Sequence, residues 1–178
     1  MPLLVLSACS DDPPPSAADP TPTVTTTVEP TPTEAPETPR DRVPERAREQ
    51  SRDGAIAFAR YWIKIRNKSL DSLDTEDLRA LSADRCETCT NLVELLEEMA
   101  DNGGSFRGGK TTVLQAGSVP GQPSGEEIVE LRIRIGREVR QETRGGERIV
   151  APTSQNNVSV HVRWAGDGWI TTWVRLHQ

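Results

Sequence analysis

Aromatic residues make up 4% of this 178-residue chain, and it holds two histidines, two methionines and three cysteines. Hydrophobic residues total 34%, thin for a core if the whole chain folds and ordinary if part of it does not. No apolar run approaches twenty residues, which excludes an internal transmembrane helix. Bases are also short: 21 Lys and Arg stand against 27 Asp and Glu, so no cationic surplus is present to grip nucleic acid. The length suits one domain or two small ones. None of these deficits specifies a molecular function; the distribution along the chain says more.

Residues 10–39 carry six acids and no base, which equals the net charge of -6 for the entire chain. Eleven of the fourteen prolines fall within the first 44 residues, interleaved with threonine in Thr21-Pro22-Thr23 and Pro30-Thr31-Pro32-Thr33. Such a segment buries too little apolar area to offset chain entropy and reads as a disordered, partly polyproline-like stalk. Its reach is roughly 35 Å if coil-like and more than about 100 Å if extended. Ser and Thr beside Pro fit an O-glycosylated stalk as well as an unmodified spacer.

The first nine residues, Met-Pro-Leu-Leu-Val-Leu-Ser-Ala-Cys, are a short apolar run, two small residues and a cysteine. They resemble the end of a bacterial lipoprotein signal peptide, in which a box like Leu6-Ser7-Ala8-Cys9 directs acylation of the cysteine and cleavage just before it. A full basic n-region and h-region are missing. The resemblance implies a membrane-lipid anchor at Cys9 and an extracytoplasmic protein on the outer face of the cell membrane. The expected organisation is 1–8 as signal remnant, 9–53 as lipid-anchored linker and 54–178 as the folded domain. An odd count of three cysteines then leaves Cys86 and Cys89 as a pair.

In the domain, Ala55, Phe58, Ala59, Trp62 and Ile65 recur at helical spacing between Gly54 and Asn67. Asp74-Thr75-Glu76-Asp77 opens a short second helix to about Leu81. Leu92, Val93, Leu95, Leu96, Met99 and Ala100 form a third, stopped by Asn102-Gly103-Gly104. Beyond Gly109 the period switches to two: Val129, Leu131, Ile133 and Ile135 alternate with charges, as do Val158, Val160, Val162 and Trp164 with polar residues. Thr111 to Val119 and Trp169 to Leu176 supply further strands, and Gly145-Gly146 and Asp167-Gly168 mark hairpins. The fold class is α+β, three N-terminal helices packed on a curved antiparallel sheet of about four to six strands.

That order resembles the cone-shaped nuclear-transport-factor-2-like (cystatin-like, SnoaL-like) fold, and more narrowly an actinomycete lipoprotein family of unknown function. The carriers are Gly54-Ala55-Ile56-Ala57-Phe58-Ala59-Arg60-Tyr61-Trp62, the run from Leu78 through Leu81-Ser82-Ala83 to Cys86-Glu87-Thr88-Cys89, and Gly103-Gly104. The resemblance implies a fold and an address, with no assigned activity.

Cys86-x-x-Cys89 is open to three readings. A redox pair needs a βαβ setting, and zinc needs two more ligands where His161 and His177 are the only histidines. A structural disulfide fits the exported setting and is favoured. Gly104-Ser105-Phe106-Arg107-Gly108-Gly109-Lys110-Thr111 matches the phosphate-loop letters, but that loop needs a strand before it and a helix after it. Here a helix precedes and a strand follows, so no nucleotide and no cofactor is assigned.

Tyr61 and Trp62 are the candidate pocket residues, with a core or rim role as the plainer reading. No catalytic residue is assigned, because no Ser/His/Asp grouping or carboxylate pair emerges. Arg132, Arg134 and Arg163 form either a basic stripe or an ion-paired face. The leading expectation is a non-catalytic binding or scaffold module facing an envelope protein, a polymer or a small apolar ligand. A pocket enzyme of isomerase, dehydratase or cyclase type is the alternative. The two differ in the lining of the sheet's concave face.

Overall fold

In the computed structural model, which describes residues 38–177, Ser51 opens the longest helix. Its hydroxyl accepts the Gly54 N–H at 3.0 Å, capping α1 (Arg52–Ser72). A Cβ on Gly54 would stand 2.0 Å from the Glu49 carbonyl oxygen, so only glycine lets the preceding chain cross the helix this closely. The predicted apolar stripe is the buried one: Ala55, Phe58, Ala59, Trp62 and Ile65 are all at most 5% exposed. The helix runs past Asn67 to Ser72 and is stopped by Leu73 in the left-handed conformation, its N–H bonded to the Ser69 carbonyl.

Two helices follow, α2 (Glu76–Ala80) and α3 (Glu87–Asp101). Cys89, Val93, Leu96 and Met99 recur every three or four residues along α3 and form its buried stripe. Cys86 and Cys89 are joined by a disulfide that ties the residue before α3 to its first turn, and both are buried.

Seven strands then run β1 (Ser105–Gly108), β2 (Thr111–Ser118), β3 (Glu126–Ile135), β4 (Glu138–Gln141), β5 (Arg148–Ala151), β6 (Ser154–Trp164) and β7 (Trp169–His177). They exceed the four to six expected because the chain divides them between two antiparallel sheets. One is four-stranded in the order β2-β3-β6-β7, the other three-stranded in the order β1-β4-β5. The Gly145-Gly146 hairpin joins β4 to β5, and the Asp167-Gly168 hairpin joins β6 to β7. On the larger sheet Val129 faces Val160 and Leu131 faces Val158 across the β3–β6 register. These residues, with Ile133 and Val162, share the main core with Phe58, Ala59 and Trp62 of α1 and Val93 of α3. Three helices on an antiparallel sheet is the α+β architecture the periodicities predict.

Two bulges break the alternation. On β2 the register shifts between Val113 and Gln115, leaving Leu114 44% exposed. On β7 Thr171 pairs with Val162 but Trp173 pairs with His161, so Thr172 is the extra residue. One inserted residue sends every later side chain to the opposite face. Trp169 and Thr171 are buried, whereas Trp173 lies on the outer face, edge-on to His161 at 4.6 Å between ring centroids. Val174 and Leu176 turn inward in its place.

The expected boundary at residue 54 is corrected by the segment before α1. Val43 and Ala47 are 7% and 1% exposed and belong to the main core. A 3₁₀ turn spans Glu45–Arg48, and the Trp169 indole N–H donates to the Glu49 carbonyl at 2.8 Å. Arg42 pairs with Asp77, which also holds Lys68 at 2.9 Å. From residue 38 the chain is therefore part of the packed unit. Composition hides this, because two apolar residues among charged ones suffice to dock a strap on a face already built by other elements.

Candidate functional site

Between α1, α3 and the inner face of the larger sheet lies a cavity of about 250 Å³. Trp62, Ile63 and Arg66 contribute from α1, Thr88 and Leu92 from α3, and Thr111, Ile133, Ile135, Val158, Val174 and Leu176 from the sheet. The β7 bulge is what makes the last two available. Leu176, 49% exposed, stands at the mouth.

Arg66 is the one charged side chain among these eleven. It follows Trp62 by four residues, so both project from one face of α1. Its Nη1 donates to Thr111 Oγ1 at 3.2 Å. Burial pushes the guanidinium below the ordinary arginine range, against the opposing influence of the Glu138 charge. Thr111 is held in turn by Asn67, whose amide donates to the Thr111 carbonyl at 2.8 Å and accepts its N–H at 3.0 Å. That side chain stands in for a neighbouring strand and fixes the start of β2 at the cavity wall.

Of the predicted pocket pair, Trp62 lines this cavity and Tyr61 does not. Trp62 is 2% exposed and its indole N–H donates to Ser82 Oγ at 3.0 Å. Tyr61 packs partly buried at the core's edge, where burial and then the Asp77 charge push its phenol above the ordinary value. Cys9 lies outside the described residues. The phosphate-loop letters fall on β1, a tight link and β2, with Gly108 and Gly109 both at positive φ. No helix N-terminus follows them to face a phosphate.

On the outer sheet face the structure gathers three polar residues that their spacing in sequence does not connect. Ser159 Oγ donates to Glu130 Oε1 and meets His177 Nε2, each at 2.5 Å. With its single proton given to Glu130, the hydroxyl accepts from the ring N–H. Both partners sit on the serine rather than in relay, and Ser159 is 4% exposed, so the order is not that of an activated nucleophile. Arg132 and Arg134 share one end of β3, while Arg163 pairs with Glu126 at the other. Six residues of strand, about 20 Å, part Arg163 from Arg132, so the three form no continuous stripe. Among the described residues none of them has a carboxylate within 4.0 Å.

No helix among the described residues is long and apolar enough to cross a membrane, and no group of three or more His, Cys, Asp or Glu could hold a metal ion there.

No curated protein matches the chain. Among solved structures, the intermembrane space region of the chloroplast protein ARC6 is similar at 12% identity, with a TM-score of 0.53 over 72% of this chain and 97% of that one. A variant of Rd1NTF2_05 is similar at 14% identity and TM-score 0.38, over 67% and 96% of the two chains. An LEH-like epoxide hydrolase of M. tuberculosis is similar at 12% identity and TM-score 0.34, over 68% and 83%. The likeness to the ARC6 region is one of fold. Residues 30–175 match the family described as Family of unknown function (DUF6318), and the protein belongs to that family.

Proposed function

We propose that this protein is a non-catalytic binding module of the cell envelope, held to the outer face of the membrane through an acylated Cys9, with the concave-face cavity as its binding site. The observation that carries the binding part is the cavity lining: eight apolar side chains, two threonines and one arginine. Isomerase, dehydratase or cyclase chemistry needs a group that gives or takes a proton near neutral pH, and none of these side chains does. At ~30 Å³ for a water-sized group, 250 Å³ holds on the order of eight such groups. That is below the ~300–1,000 Å³ of drug-sized sites, and suits a short chain or a small ring system.

Octan-1-ol tests the cavity. Its titration into the full chain is expected to saturate and to quench or shift tryptophan fluorescence, and Leu92→Trp, which fills the space, is expected to abolish the response. A non-saturating response, or one indifferent to Leu92→Trp, removes the cavity as a site.

The anchoring part is supported by Leu6-Ser7-Ala8-Cys9 and by the Pro- and Thr-rich residues that follow, which would space the domain from a membrane surface. Expressed in a host that processes lipoproteins, the protein is expected in the membrane fraction, and Cys9→Ser in the soluble one. Identical distribution of the two proteins defeats the anchor.

A further inference from the structure

Arg66 is placed where an apolar cavity would not need it. Its neighbours along the wall are Trp62, Ile63, Leu92, Ile133 and Ile135, and its one hydrogen-bond partner among the described residues is Thr111 Oγ1. No carboxylate of the described residues lies within 4.0 Å of the guanidinium. Glu138 acts on it only at longer range. A partly buried cation without a counter-ion weakens the fold, because desolvation is not offset by a partner charge. Arg132, Arg134 and Arg163 also lack a carboxylate partner, but all three are exposed to water, which compensates their charge, whereas Arg66 is partly buried.

The donors left over after Thr111 form a planar edge, the geometry that holds a carboxylate by two parallel hydrogen bonds. A single cation balances a monoanion and leaves a dianion with uncompensated charge. The remaining wall is apolar and of limited volume. We infer that the cavity takes an apolar monocarboxylate, its carboxylate on the Arg66 guanidinium and its chain of about eight groups among Trp62, Leu92, Ile133 and Leu176. This assignment rests on the cavity being the binding site, and it names the ligand class for that site.

The test titrates octanoate and octan-1-ol, equal in chain length, into the full chain and into Arg66→Met, with circular dichroism confirming that the variant folds. Octanoate is expected to bind the unaltered protein at least about tenfold more tightly, a difference of about 1.4 kcal/mol. In Arg66→Met that preference is expected to vanish while octan-1-ol binds as before. Should Arg66→Met fail to fold, Arg66→Lys keeps the charge without the planar edge and is expected to lose most of the preference. Equal affinity of the two ligands for the unaltered protein overturns the inference and leaves the cavity reading standing. Octanoate binding unchanged in the variant also overturns it, by moving the anion to a surface such as the groove lined by Arg60, Lys64 and Lys110. If neither ligand binds, the cavity reading itself fails.

Discussion

A chain that begins at Ser51, which keeps the cap of α1, is expected to be less stable than one that begins at Thr38 by about 2–4 kcal/mol, a large share of the ~5–15 kcal/mol typical of a domain. The strap from residue 38 covers Phe58, Leu81 and Trp169, with which Val43 and Ala47 line one small space. Fully burying a valine contributes ~1.5–3 kcal/mol, and the Glu49 carbonyl satisfies the indole of Trp169. Ordering the strap opposes these gains at ~1–2 kcal/mol per residue, so the net effect is much smaller than the sum of its contacts.

Acid adds a second signature. Burial is the largest single influence on Asp77 and raises its pKa, but the hydrogen bonds and charges of Lys68 and Arg42 together outweigh it and leave the carboxyl below its ordinary value. A depressed folded-state pKa means stability that is present above the unfolded value, near ~3.9, and lost as the pH falls through the folded one. Arg42 belongs to the strap, so the shorter chain keeps only Lys68 and is expected to lose less on acidification. Urea unfolding of both chains at pH 7 and pH 3 measures both effects. Matching stabilities at pH 7 would mean that the strap rests on the surface without holding it.

Trp62→Ala is expected to cost about 3–5 kcal/mol, the range for truncating a buried large aromatic. The indole is 2% exposed, packs in the main core and bonds Ser82. Its loss removes apolar contacts, orphans the Ser82 hydroxyl and merges the cavity with the space the ring occupied. Trp62→Phe keeps most of the contact and is expected to cost about 1–2 kcal/mol, near the value of one hydrogen bond plus a small void. Equilibrium unfolding separates the two. A loss under about 1 kcal/mol for the alanine variant would reassign Trp62 to the rim, where surface substitutions fall.

The helices and most of the larger sheet were legible because their apolar residues sit at regular intervals. The stripe from Ala55 to Ile65 and the alternations from Val129 to Ile133 and from Val158 to Val162 are buried as their periods require, with Ile135 partly buried at the end of its strand. The short strands β4 and β5 were not, since Ile149 and Val150 are both exposed and carry no alternation to read. Half of the candidate pair was legible: Trp62 faces the cavity, while Tyr61, one residue earlier, is turned about 100° around the helix axis towards Asp77. Arg66 went unremarked because a basic residue on a helix is ordinarily solvated, and nothing local distinguishes it from Arg60 or Lys64.

The sequence by itself determined that helices precede strands, which face of each is apolar and where the Pro-rich segment lies, because periodicity and composition are local properties. Only the tertiary structure decided where the packed unit begins, which strand residues enter the cavity and which arginine is partly buried in its wall without a carboxylate partner. Strap docking depends on a face assembled from distant elements. The inward turn of Val174 and Leu176 depends on one extra residue at Thr172, set by pairing with β6 rather than by any pattern within β7. An unpaired charge is defined by what surrounds it in space, and here those surroundings come from α1, α3 and the sheet together.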